Sequence, residues 1–322
     1  MTWLRWLPLG AFMPFMLASI LWSNYTRMAY FLPISLLLGW WSVRMLREVT
    51  FSLQSFLQPF RSPVNYYGSI VLYAAFFSLF GSLARGHYPL PMYHDEHAYL
   101  LAADTFSRGR LANPTPPGWE HFESYHINLV PAYGSKYQPG MGLALTLGQR
   151  LGHPYLGVVI TLMLASACWA WMCRQWLPPA WDYLGSLLGV MQLVSVSSDC
   201  YFIGGALATI PSSLALGLWK RPLRQWKLHH AILLGGCPVL WFWTRPFEGG
   251  LVALLLAGMY LTRIAREHAW QSILTILLPG LMLSWIPAGW FQYEFNLANT
   301  GHWHRLPYLE HESQYGGTPL FL

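Results

Sequence analysis

The stretch "YFIGGALATIPSSLALGLWKRPLRQWK" (residues 201–227) joins an apolar run, 201–219, to eight residues carrying four bases and no acid. Water solvates the first part badly, and hydrocarbon solvates the second part badly. A segment of this pattern enters a bilayer and stops where Lys and Arg collect, on the cytoplasmic side. The composition extends that reading to the whole chain. Of its 322 residues 54% are hydrophobic and only 10% charged, against about 25% charged in an ordinary soluble domain. The net charge of +6 is spread over short loops, which gives no footing for nucleic acid.

Crossing the hydrocarbon takes roughly 20 helical residues. Apolar runs lie at 7–22, 30–43, 66–84, 154–173, 181–198, 201–219, 229–243, 247–262 and 269–291. The fold class is therefore all-α, a polytopic helical membrane protein with about nine transmembrane helices. The first run follows a single Arg and lacks a small-residue cleavage site, so it reads as an uncleaved span. The shorter stretch 139–151 reads as an interfacial or re-entrant helix. Three parts follow: spans and a cytoplasmic loop in 1–65, a transmembrane core in 66–291, and an outer segment in 292–322. With a cytoplasmic N-terminus and alternating spans, eleven Lys and Arg fall in cytoplasmic segments and seven in much longer outer ones. Ten of the thirteen acids then lie outside, and residues 86–138 become a large first extracytoplasmic loop. Cys168, Cys173, Cys200 and Cys237 show no CxxC spacing and read as buried free thiols.

Polar chemistry concentrates on that outer face. Residues 95–109 have the pattern of a short helix, with Asp95 as N-cap and Gly109 as stop. Asp95 and Glu96 would sit at its N-terminal end, where the helix dipole favours carboxylates. Such a pair can accept a proton or bind a cation; a cap with a solvated neighbour is the simpler alternative. Lys136, set among Tyr133, Tyr137, Pro139 and Gly140, suits an anion such as phosphate, or else snorkels to the headgroups. Arg245 and Glu248, between two apolar runs, are a candidate site or a structural ion pair. The outer histidines, His87, His94, His97, His121, His126, His302, His304 and His311, supply ligand types for a divalent cation but match no standard zinc spacing. No other cofactor is called for.

Three stretches, "DEHAYLLAADTFSRGRLANPTPPGWEHFES" (95–124), "SKYQPGMGLALTLGQRLGHP" (135–154) and "RPFEG" (245–249), resemble the polytopic glycosyltransferases of the GT-C superfamily. The bacterial relatives of dolichyl-phosphate-mannose-protein mannosyltransferases and of lipid A aminoarabinose transferases are the nearest branch. The resemblance covers about 86–322 and includes 199–217 and 299–321. It implies a multi-pass enzyme of the bacterial inner membrane with its site outside. A polyprenyl-phosphate-linked sugar would be the donor, and a glycan, lipid or protein the acceptor. Under that resemblance Asp95 is the base and Glu96 its partner, the two able to exchange roles. Lys136 and Arg245 contact the lipid phosphate, and Tyr99, His121, Tyr137 and Glu248 are candidate substrate contacts. Family members usually continue through further helices, so a chain ending "GGTPLFL" is expected to be a short or truncated member. The alternative is a non-catalytic protein that binds or transports a polyprenyl lipid. A transporter would carry ionisable groups near mid-membrane, often within a repeat, whereas here the charges gather at one face.

Overall fold

The computed structural model describes residues 58–179, 181–199, 201–268 and 270–315. The spans expected at 7–22 and 30–43, and Cys200, lie outside the described residues. Among those residues ten helices longer than a single turn carry the chain, and the only strands form one short hairpin. The helices are α1 (Pro63–Arg85), α2 (His94–Ser107), α3 (Pro139–Arg150), α4 (Pro154–Trp176), α5 (Trp181–Asp199), α6 (Gly205–Trp219), α7 (Leu228–Thr244), α8 (Pro246–Arg266), α9 (Leu278–Thr300) and α10 (Pro307–Tyr315). Strands β1 (Ile127–Asn128) and β2 (Gly134–Ser135) pair antiparallel between α2 and α3.

Among the described residues, four segments are long and apolar enough to cross a membrane: Pro63–Arg85, Pro154–Trp176, Pro246–Arg266 and Leu274–Thr300. Their outward sides are greasy. Leu254 and Leu255 on α8, and Trp285, Ile286 and Trp290 on α9, are at least half exposed. Water penalises such a surface, and hydrocarbon does not.

Two boundaries differ from the sequence reading. The apolar run 201–219 is helical only from Gly205, which leaves a 15-residue helix of roughly 22 Å. Its first residues are spent on docking, since Phe202 is 1% exposed and its backbone N–H is taken by Glu96. The last run passes from a single helical turn, Trp270–Ser272, through a π-helical segment, Ile273–Leu277, and continues past residue 291 to Thr300. There Asn296 and Asn299 are buried and donate to the carbonyls of Trp303 and Leu111, which lets α9 carry polar residues in its last turns.

Helix α4 is the hub and packs on α1, α3, α5 and α6, while α7 joins α6, α8 and α9. Polar side chains stitch these contacts. Tyr155 donates to the Ser78 carbonyl at 2.7 Å, Tyr260 to the Ala215 carbonyl at 2.8 Å, and Trp285 to the Gly235 carbonyl at 2.8 Å. At the basic end, Arg263 donates to the carbonyls of Trp219 and Arg221 and pairs with Glu267, closing the C-terminus of α6. Cys168, Cys173 and Cys237 are free thiols.

The closest backbone-to-backbone approach among the described glycines joins α3 to α4. A Cβ on Gly148 would lie 2.0 Å from the Gly157 nitrogen, and one on Gly157 would lie 2.3 Å from the Ala144 carbonyl oxygen. Backbone meets backbone there, so small residues are required. Gly157→Ala should cost at least about 2 kcal/mol because nothing flexible can yield. Gly68→Ala, with nothing within 4 Å, should cost none. Thermal unfolding midpoints in detergent micelles compare the two.

Candidate functional site

The site begins at the N-terminus of α2. Its cap is Tyr93, not Asp95 as the sequence pattern suggests. Glu96, in the third helical position, folds back so that Oε2 accepts from the backbone N–H of Met92 at 2.6 Å and of Tyr93 at 3.2 Å. Its Oε1 accepts from the N–H of Phe202 at 2.9 Å. Glu96 is fully buried, and its lone pairs answer donors that the helix start and the α5–α6 connection would otherwise leave unsatisfied.

With the cap made by its neighbours, Asp95 turns the other way. Its Oδ1 accepts the Tyr137 hydroxyl at 2.6 Å and lies 2.8 Å from His126 Nε2. Asp95 is 38% exposed, and Oδ2 makes no bond among the described residues. Burial and the bond to Asp95 push the Tyr137 phenol well above its ordinary range, so it remains a donor. Its ring stacks on that of Tyr99 at 4.6 Å. His126 occupies the left-handed region at φ 66°, a conformation that usually costs a non-glycine residue about 1 kcal/mol or more. The strained turn does two things at once. The side chain reaches Asp95, and the His126 carbonyl accepts the Lys136 N–H across the hairpin mouth at 3.1 Å. Burial, then the Lys136 charge, holds the His126 imidazole below its ordinary value, with Asp95 opposing.

Lys136 is only 9% exposed. Its ammonium lies 5.4 Å from the Tyr137 ring and 5.0 Å from the Tyr308 ring. It makes no hydrogen bond or ion pair among the described residues. Burial lowers its pKa, and the fields of Asp95 and Glu312 work against that. Tyr308 comes from α10, which closes over β1: Asn128 donates to the Pro307 carbonyl at 2.9 Å, and Gln314 donates to the Val130 carbonyl at 2.7 Å.

Arg245 caps the corner between α7 and α8 and pairs with Glu248 at 3.3 Å, both well exposed. Such a surface pair contributes little and holds neither side chain firmly. The corner lies beside the "SKYQPG" stretch, because a Cβ on Gly140 would lie 2.6 Å from the Trp243 carbonyl oxygen. Arg245, Asp95 and Glu248 all act electrostatically on Tyr99, whose phenol is raised chiefly by burial. The structure therefore gathers Asp95, Tyr99, Lys136, Tyr137, Arg245 and Glu248 around one region. His121 stands apart, exposed in the turn Trp119–His121.

Neither a family model, nor a curated protein, nor a solved structure matches this chain. The chemistry must be read from the residues. They offer one tethered, accessible carboxylate, a phenol and an imidazole on its inner oxygen, and a nearly buried ammonium that lacks an acceptor. Among the described residues no three His, Cys, Asp or Glu side chains converge as a metal ion would need. Sequence reasoning did not single out His126, Tyr308 or His311; the only signal was the crowd of outer histidines.

The two carboxylates should separate experimentally. Glu96→Ala strands three backbone donors and should lose at least about 3 kcal/mol of stability. Asp95→Asn keeps a side chain of the same shape on an exposed rim and should shift the unfolding midpoint little. Thermal unfolding of both variants in detergent checks this contrast.

Proposed function

We propose that the chain is a membrane glycosyltransferase that moves a sugar from a polyprenyl-phosphate donor to a cell-envelope acceptor at the outer face of the membrane, with Asp95 as base. The observation that carries the reading is Asp95 held by Tyr137 and His126 at Oδ1 with Oδ2 uncommitted, close enough to feel Lys136, an ammonium with no acceptor. A fixed carboxylate beside a cation awaiting an anion is what displacement of a phosphate leaving group requires. The motif resemblance in 95–124, 135–154 and 245–249 adds to it. In this reading the chain is a multi-pass protein of the bacterial inner membrane, with about nine spans and a cytoplasmic N-terminus.

An acceptor hydroxyl attacks the anomeric carbon and forms the new glycosidic bond. The bond from that carbon to the phosphate oxygen breaks, and its electron pair stays on the departing polyprenyl phosphate. The hydroxyl proton passes to Asp95. A phosphate leaves without a strong acid, so a single carboxylate suffices and the anomeric centre inverts, unlike ordinary glycoside hydrolysis with its two working carboxylates. Lys136, with Arg245 able to swing from its exposed pair with Glu248, meets the developing charge. Glu96 acts as a positioning residue that aims Asp95. Tyr99 and Tyr137 form the wall behind it.

Membranes containing the wild-type chain and a pool of radiolabelled polyprenyl-phosphate sugars should show transfer. Asp95→Asn should reduce it by at least about a hundredfold at equal protein level, and Lys136→Met by a similar factor. If the wild-type chain binds the lipid and transfers nothing, the non-catalytic lipid-binding alternative replaces this reading.

A further inference from the structure

Lys136 is not the only basic side chain near His126, the partner of Asp95. Helix α10 places Tyr308 against the ammonium, and one turn further along it places His311 against His126, with ring centroids 6.4 Å apart. The helix is fixed there at both ends: its first carbonyl accepts from Asn128, Gln314 donates to Val130, and Arg305 pairs with Glu310 at 2.9 Å. Lys136, His126 and His311 thus converge from the hairpin and from a helix about 180 residues away in sequence. Only His126 has a carboxylate within ion-pair distance among the described residues. The Lys136 ammonium and the His311 imidazole have no carboxylate within ion-pair distance among the described residues, although Asp95 and Glu312 act on Lys136 from further away, so both keep donors for an anion from outside.

We infer that His311 is the second cationic contact of the phosphate that Lys136 holds, and that arrival of the phosphate draws a proton onto it. This rests on the reading of Lys136 as the phosphate residue and adds to it a ligand from the C-terminal helix and a linkage to pH.

The electrostatics agree with the geometry. Burial first, and then Lys136 and His126, push His311 down to about 4. The other titratable neighbours are Asp95 and His94, which act on His126, Glu312, which acts on Lys136 and Tyr308, and Tyr315, whose ring lies 4.8 Å from His311 and which feels Glu123. An anion between Lys136 and His311 replaces repulsion with attraction and raises the imidazole. A group whose pKa is raised in the bound state strengthens binding at low pH, and that gain is lost as pH rises through the raised value. The donor is a phosphodiester that titrates nowhere in this range, whereas the product monoester has a second ionisation near about 6. A protonated His311 therefore meets the extra negative charge that appears as the sugar leaves.

The test uses the full chain in detergent and octyl methyl phosphate, a diester carrying one charge across the range, with affinity measured by calorimetry from about pH 5 to about pH 8. Wild type should bind more tightly as pH falls, by up to about tenfold per unit where one proton is linked, and should take up protons when buffers of different ionisation enthalpy are compared. His311→Gln should bind weakly with a flat profile. His311→Lys, a fixed cation, should bind tightly with a flat profile, which also shows that the fold survives replacement at this position. A flat wild-type profile, or His311→Gln binding as tightly as wild type, overturns the inference. So does loss of binding in both variants, since a permanent charge should serve. If Lys136→Met still abolishes binding in those cases, the phosphate role of Lys136 stands and only the part given to His311 fails; if it does not, both fall.

Discussion

The Glu96 carboxylate holds the start of α2 in register with the start of α6. Its two oxygens accept the N–H groups of Met92, Tyr93 and Phe202, so one side chain caps α2 and ties it to the entry of α6. Charge-assisted bonds of this kind are among the stronger ones available, and in a fully buried setting no water replaces them. The position of α2 decides the rest. Thr105 on its far turn receives the Asn113 amide at 2.7 Å, and Phe106 packs on Phe295 of α9. The same tie rotates Asp95 toward Tyr137. Two adjacent carboxylates therefore have different fates because successive residues at a helix start point about 100° apart. One is spent on the backbone, and the other remains available to a ligand.

That division explains what could be read in the sequence and what could not. The apolar runs at 66–84, 154–173, 181–198, 229–243 and 247–262 each became a helix within a few residues of their expected ends, because burial in one solvent depends on composition alone. The run beginning at Tyr201 was misplaced at its start, since the demand that unwinds residues 201–204 comes from Glu96, about a hundred positions earlier. Likewise, Asp95 has the identity of a good N-cap, but the cap is made by Glu96 reaching back, a choice set by where Phe202 arrives. Local pattern names the residues of the site. Which of them meet is fixed by tertiary contacts.

The same distinction applies to the cations. Arg245 looked costly between two apolar runs, yet it lies 45% exposed at a corner and satisfies itself with Glu248. Lys136 could be read either as an anion contact or as a snorkelling lysine, and it is 9% exposed. Tyr137 and Tyr308 flank its ammonium with ring faces, which stabilise a cation modestly and leave its donors unanswered. Phenol rings in place of carboxylates keep the charge uncancelled. A carboxylate within bonding distance of Lys136 would neutralise it, and an arriving anion would gain little.

The strain at His126 fits this economy. A left-handed histidine is tolerated only where the surroundings over-determine it, and here three constraints do so: the bond to Asp95, the Lys136 N–H on its carbonyl, and the ring of His311 beyond it. Relaxing the turn would release all three, and with them the spacing between the carboxylate and the ammonium. A short hairpin with one strained residue at its foot, covered by a helix from the far end of the described chain, brings the Asp95 carboxylate and Lys136 into one electrostatic neighbourhood with no ion pair between them among the described residues.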